Sequence, residues 1–281
     1  MKILAIGDFH GKFPEKLKKK AKEVDLIVSV GDYAPFSLRK EFFKYVYKIK
    51  DKELWEFIGK QKVKKATIKD LRQGEKVLKE LNRLKIPIIT ITGNLDYTKW
   101  HDAHDFKKNT KWKWPEQDFF SKIIKKYSNV KCFDYSYVQI GELIFIGMAR
   151  STFPGKVKSK EYKKQRRVLE KLFNKFSKEL KEKKVIFVSH NVPYNTKLDL
   201  ITDKNAHKKA KGKHYGSKLV KRIIEKYQPI LFIGGHIHEQ QGKDKIGKTI
   251  SLNTGSAHDN QAVLIDIDEK KGKVRNIKFL R

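Results

Sequence analysis

The chain has 281 residues, of which 39% are hydrophobic, and carries 65 Lys+Arg against 32 Asp+Glu, a formal charge of +33. This is the composition of a soluble globular protein, long enough to bury a sizeable core; no apolar run approaches the ~20 residues of a membrane helix. The single cysteine, Cys132, excludes an internal disulfide and a thiolate metal cluster, and without a signal-peptide core the expected location is cytoplasmic.

The cationic excess is almost all lysine, with only nine arginines among the 65 basic residues. One reading is an electrostatic footprint for a polyanion such as RNA or DNA. The other is the charged surface of thermophile proteins, where Lys and Glu rise together; here the two signs are not balanced. Lysine is a flexible point charge without the arginine fork, so any nucleic-acid contact is expected to follow the phosphate backbone without reading bases.

In chain order, the apolar run Lys2–Gly7 reads as a buried strand and ends in Asp8-Phe9-His10. A short Lys-rich helical pattern, Glu15–Val24, follows. Leu26–Val30 is a second strand, ending in Gly31-Asp32. Tyr33–Lys85 is long for a strand-to-strand connection and reads as a helical insertion, with helical spacing over Leu38–Ile58 and Ile68–Leu84. Ile86–Ile91 is a third strand, followed by Thr92-Gly93-Asn94.

Tyr97–Lys131 is a second, basic and aromatic insertion with a helix over Phe119–Tyr127. Trp100, Phe106, Trp112 and Trp114 read as the aromatic core of a cap; a stacking surface for single-stranded nucleic acid is the alternative. Leu143–Gly147 is another buried strand. Lys156–Arg167 reads as a solvated helix face ahead of the helical pattern Val168–Glu182. Val185–Val188 ends in Ser189-His190-Asn191. After the helix Ser217–Tyr227, Pro229–Ile233 ends in Gly234-Gly235-His236-Ile237-His238. Lys248–Leu252, Ala262–Asp266 and Val274–Leu280 read as short strands, expected to pair antiparallel in a second sheet.

Strands alternating with helices define an α/β fold with largely parallel pairing, here read as one domain over residues 1–281. In open α/β sheets ligands bind outside the carboxyl ends of the strands. Asp8, His10, Asp32, Asn94, His190, His236 and His238 are therefore expected at one rim. Carboxylate, amide oxygen and imidazole together suit Mn, Fe, Zn, Co or Ni better than Ca or Mg alone. Two such cations about 3.5–4 Å apart can clamp an anionic ester around a shared carboxylate.

In order, these motifs resemble the signature of the calcineurin-like metallophosphoesterases: Asp-x-His, Gly-Asp, Gly-Asn-His-Glu/Asp, a lone His, and Gly-His-x-His. The chain shows Asp8-Phe9-His10, Gly31-Asp32, Gly93-Asn94-Leu95-Asp96, His190 and Gly235-His236-Ile237-His238. Pro193-Tyr194 and Asn253-Thr254-Gly255-Ser256 add to the likeness, which spans most of the chain. The resemblance implies a four-layer α/β/β/α sandwich of two mixed sheets with helical insertions. It also implies two divalent metal ions, manganese foremost, with Fe, Ni, Co, Zn or Mg as alternatives. One would take Asp8, His10 and His238, the other Asn94, His190 and His236, with Asp32 bridging, and a metal-bridging hydroxide would attack phosphorus in line. Asp32, Asn94 and His190 are then the expected catalytic group.

Leu95 departs from the pattern, standing where many members carry a His that protonates or stabilises the leaving group. His101, His104, His214 and His258 are the candidates for a replacement acid. Asp96 is expected either to orient a ligand from behind or to cap the next segment. The expected function is hydrolysis of phosphate esters, with diesters (a nucleotide or nucleic acid) preferred. The alternatives are a phosphomonoesterase or protein phosphatase, or a non-catalytic scaffold that binds nucleic acid or protein; all seven expected ligands are kept, which counts against the scaffold.

Overall fold

Alternation along the first strand, β1 (Lys2–Ile6), sets the layering. Ile3 and Ala5 face one way, Leu4 and Ile6 the other, and all four are fully buried. A strand apolar on both faces needs a covering layer on each. In the computed structural model, which describes residues 1–46, 52–97, 112–150, 154–204, 206, 208 and 210–281, those layers are a second sheet on one side and helices on the other.

The first sheet runs in the order β12 (Lys273–Leu280), β11 (Ala262–Asp268), β1, β2 (Leu26–Ser29), β3 (Ile88–Thr90), β4 (Val130–Cys132). From β1 to β4 the pairing is parallel, and β11 and β12 are antiparallel additions. The second sheet runs β5 (Tyr137–Ile140), β6 (Leu143–Met148), β7 (Val185–Asn191), β8 (Leu231–Gly235), β10 (Thr249–Asn253), β9 (Gly242–Ile246). Its four inner strands are parallel and its two edges antiparallel.

Between the sheets lies a core that includes Ile3, Val28, Ile91, Phe145, Val188, Ile233 and Val263. Leu17 of α1 (Glu15–Ala21), Val77, Leu78 and Leu81 of α4 (Lys60–Arg83), and Phe120 and Ile124 of α5 (Phe119–Ile124) cover the outer face of the first sheet. Leu169 and Phe173 of α6 (Lys160–Lys175) with Val220, Ile223 and Ile224 of α8 (Lys218–Tyr227) cover the second. The fold is the expected four-layer α/β/β/α sandwich of two mixed sheets.

Three local readings need correction. First, β11 and β12 do not join the second sheet; they extend the first beyond β1, with Lys2 opposite Asp266. Of the three C-terminal strands read from the sequence only β10 enters the second sheet, and it is parallel to β8. Short half-buried strands carry no label for the sheet edge they will cover. Second, β4, β5 and β9 are strands absent from the sequence reading; β9 (Gly-Lys-Asp-Lys-Ile) is an edge strand with little apolar signal. Third, the pattern Val168–Glu182 is not one helix: α6 begins at Lys160, within the run read as a solvated helix face, where the Ser159 side chain accepts the Tyr162 N–H at 3.2 Å, and it ends at Lys175.

The region 33–85 holds α2 (Arg39–Tyr45) and α3 (Leu54–Ile58) ahead of α4, which starts at Lys60 rather than Ile68. A further short helix, α7 (Ser177–Lys181), follows α6. Trp112 and Trp114 stack at 5.5 Å, with Trp55 of α3 edge-on to Trp112. Trp100 and Phe106 lie outside the described residues. Among the described residues no helix is long and apolar enough to cross a membrane.

Candidate metal centre

The strands deliver their polar residues by turning sharply as they leave the sheets. Asp8, His10, Asp32 and His236 all adopt left-handed backbone conformations, with φ of 55°, 46°, 57° and 72°. Non-glycine residues visit this region at a cost of about 1–3 kcal/mol and hold it only where neighbours enforce it. Here the enforcement is backbone pairing between exits: Asp8 N–H donates to Gly31 O at 2.9 Å and His10 N–H to Asp32 O at 3.1 Å. Gly31, at φ +91°, lies so close to the next exit that a Cβ would run into the Gly93 backbone nitrogen.

Asp96 resolves the two expectations set for it. Its Oδ2 accepts the N–H groups of Asp32 (2.8 Å) and Gly93 (2.7 Å), and its Oδ1 accepts that of Tyr33 (2.8 Å). It caps no helix; it ties the β2 exit to the β3 exit and so orients Asp32. Burial, and then the neighbouring Asp32 charge, push the Asp96 carboxyl up to about 7. Two further residues belong to this frame and were missed in the sequence. Asp134 accepts from the Thr92 N–H (2.8 Å) and hydroxyl (2.6 Å). Buried Arg150 donates its Nε–H to Gly93 O at 3.3 Å, and its charge reaches Asp96, Asp32 and Asp134. Arg150 follows β6 as Asp8 follows β1, so its place after an apolar run was the available signal.

All seven expected residues meet at this rim. Asp8, His10 and His238 present ligand atoms within 4.8 Å of one another, and so do Asp32, His190 and His236. Asn94 joins the second group, its Oδ1 lying 2.8 Å from His190 Nε2. Asp8, Asp32 and His190 are buried, while His10, Asn94, His236 and His238 are half-buried, so the rim opens on one side.

The hydrogen-bond arithmetic fits cations. His190 donates its Nδ1–H to Val30 O at 2.8 Å, which leaves Nε2 as a lone pair. Burial holds this ring below its ordinary pKa. Yet that Nε2 faces Asn94 Oδ1 at 2.8 Å, His236 Nδ1 at 3.1 Å and Asp32 Oδ2 at 3.5 Å. Four acceptor atoms with at most one N–H among them are mutually repulsive in a bare protein and attractive around a divalent ion. The first group repeats the pattern, with His10 Nε2 3.2 Å from His238 Nε2, itself 3.1 Å from Asp8 Oδ1.

Charge tells the same story. Burial, reinforced by the charge of Asp8, pushes Asp32 up to about 8, and burial lowers His236 to about 3. Burial also raises Asp8, but the histidines around it, His238 foremost, pull it well below the usual carboxylate range. Two buried carboxylates and three imidazoles held below their ordinary range by burial form a site at odds with itself until positive charge enters.

A family model described as metallophosphoesterase, calcineurin superfamily, matches residues 1–277. The chain belongs to the calcineurin superfamily of metallophosphoesterases. Members of this family use two divalent metals. An uncharacterized protein of Methanocaldococcus jannaschii is 26% identical over 283 residues, covering 97% of this chain and 98% of its own length. One solved crystal structure superposes with a TM-score of 0.67 at 19% identity, over 99% of this chain and 97% of the other. A dimetal phosphatase from Danio rerio superposes with a TM-score of 0.50 at 10% identity, over 100% and 96% of the two chains. At these identities the solved structures speak to the fold alone.

In this metallophosphoesterase the departure at Leu95 is confined to the side chain. Its backbone N–H still donates to Asp32 Oδ1 at 2.7 Å and steadies the carboxylate. Of the candidate acids, His258 donates its backbone N–H to Asp8 O at 3.2 Å, with its ring half-exposed beside Asp259. His214 sits on the loop after β7, bonded to Asp199. His101 and His104 lie outside the described residues.

Proposed function

We propose that this metallophosphoesterase is a phosphodiesterase working with two divalent cations, manganese foremost. Asp8, His10 and His238 hold one, Asn94, His190 and His236 the other, and Asp32 faces both. One observation supports this above all: donors from five strand exits converge as two adjacent groups, with lone pairs turned toward lone pairs. When bound, the cations supply Lewis-acid polarisation of the phosphoryl oxygens and a water acidic enough to act as nucleophile near neutral pH.

The chain's own residues prepare the ground. Val30 O fixes the His190 tautomer, Asp96 and the Leu95 N–H aim the Asp32 carboxylate, and Asn94 turns its amide oxygen inward beside His190. Leu95 favours diesters, because its side chain can neither protonate a leaving group nor bond an extra terminal phosphate oxygen. The +33 charge suits a polyanionic diester, a nucleotide or nucleic acid.

The test uses chelator-stripped protein with Mn, Ni, Co, Mg or nothing restored. Bis-p-nitrophenyl phosphate, p-nitrophenyl phosphate and a labelled RNA are the substrates. Metal-restored cleavage of the diester ahead of the monoester is the expected result. A monoester preference would reassign the chain as a phosphatase, and no turnover with two ions bound would leave a binding scaffold.

A further inference from the structure

Outside the metal-binding rim, one titratable pair is built as a working site. Asp199 is fully buried, and its carboxylate accepts the N–H groups of Asn195 (2.9 Å), Thr196 (2.8 Å) and Gly216 (2.9 Å). It also takes the Nδ1–H of His214 at 2.7 Å. Held this firmly, Asp199 fixes the imidazole plane and leaves Nε2 as the ring nitrogen it does not engage. His214 borders an open cleft of about 540 Å³, lined also by Pro154, Tyr194, Gly212, Lys213 and Tyr215.

Three connections tie the loop that lines the cleft to the chain carrying the candidate metal ligands. Asn191, next to His190, donates its Nδ2–H to Tyr215 O at 2.9 Å. Ile237, between His236 and His238, packs in one apolar cluster with Val192, Leu198 and Tyr215. Asn253 Nδ2 bridges Leu198 O (3.2 Å) and Ile237 O (2.9 Å). The loop bearing His214 is thus anchored to the chain beside His190 and between His236 and His238. By contrast His258 pairs with Asp259, itself mostly exposed, and among the described residues no buried partner holds its ring.

We infer that this cleft receives the leaving alcohol of a phosphodiester, a nucleoside in chemical class, and that His214 gives that alcohol its proton. The inference rests on the phosphodiesterase reading above. Its need comes from Leu95, which leaves the expected acid position without a proton. Its fit comes from the cleft's size, ordinary for a small-molecule site, and its lining. Two tyrosines and a proline offer faces to a base, and Lys213 offers charge to a flanking phosphate. In the step, a P–O bond forms to a water oxygen, whose proton passes to solvent. The P–O bond to the nucleoside breaks, and its electron pair leaves on the nucleoside oxygen, which takes the Nε2 proton of the protonated ring. The imidazole then recovers a proton from solvent, giving alcohol and phosphomonoester.

The experiment compares Mn-loaded wild type and His214→Gln on two diesters. In thymidylyl-thymidine the leaving group is a nucleoside; in bis-p-nitrophenyl phosphate it is a phenolate that departs without a proton. Loss of a general acid costs about 10²–10⁴-fold where the leaving group needs it. The expected result is a loss of about 100-fold or more on the dinucleoside, and a loss at least about tenfold smaller on the aryl diester. Tyr194→Ala is expected to raise KM for the dinucleoside about tenfold with a smaller change in kcat, as loss of one stacking face would. Equal losses of His214→Gln on both diesters, or none on either, overturn the inference while an active wild type keeps the phosphodiesterase reading. A wild type that cleaves the aryl diester but not the dinucleoside overturns the nucleoside assignment. A wild type that cleaves neither fails the parent reading, and this inference with it.

Discussion

The two sheets bring different chemistry to one rim. From the first come Asp8, His10, Asp32 and Asn94, which carry both carboxylates and the amide. From the second come His190, His236 and His238, imidazoles only. Neither half makes a ligand group alone: His238 completes Asp8 and His10, and Asp32 completes His190 and His236. The supports cross as well. Val30 O of the first sheet's side takes the His190 Nδ1–H, and Asp8 Oδ2 takes the His236 N–H at 3.0 Å. The lesson is that the centre does not exist until the inter-sheet core has packed, so cations bound there tie one sheet to the other.

That division can be broken at Asp32, the carboxylate that completes His190 and His236 of the second sheet. Asp32→Ala is expected to lower metal-dependent hydrolysis by about 10³-fold or more, since in the proposed arrangement its carboxylate would serve both cations, which supply several kcal/mol of charge stabilisation. Turnover together with metal content by atomic emission checks it; retained activity would dismiss the bridging role.

Next in size is the tie itself. Ligands that bind only the folded state stabilise by about 2.7–4 kcal/mol at 100–1,000 times Kd. For a chain of this size, stripping the ions is expected to lower Tm by about 5–15 °C. Calorimetry with and without chelator reads this, and an unchanged Tm would mean the sheets hold their rim geometry unaided.

A smaller effect is expected on the first sheet's side alone. Asp96→Asn places an NH₂ where an oxygen now meets backbone N–H groups, loosening Asp32 without touching a ligand. Metal affinity or activity should fall about 10–100-fold, as with other orienting partners, and a metal titration would show it. Smallest of all, Leu95→Ala should change kcat less than about threefold, because the N–H to Asp32 is backbone and the side chain holds no proton. A large loss there would show that the Leu95 side chain itself packs against substrate.

Much of the centre was legible because its signals are local. An apolar run of four to six residues followed by Asp, Asn or His announces a strand exit, and five such exits name all seven residues. Asp96 could be placed beside the site but not given its task, since its N–H partners Asp32 and Tyr33 lie in the preceding strand's exit, across the whole helical insertion. Asp134 was missed for the same reason, and Arg150, though it follows an apolar run, could not be tied to Gly93 from the sequence. The edge strand β9, largely polar, had too little periodicity to declare itself. His214 stood in the sequence as one histidine among four candidates, and the buried Asp199 distinguishes it from His258.

By itself the sequence determined the α/β class, the buried inner strands and the residues at their ends, because burial on both faces demands continuous apolar runs and the bend after each demands few residue types. Tertiary structure alone decided which sheet took β11 and β12, which carboxylates hold the exits together, and which histidine gained a buried partner. Those choices depend on contacts between residues far apart in the chain, whose energies arise only once the two sheets have closed on each other.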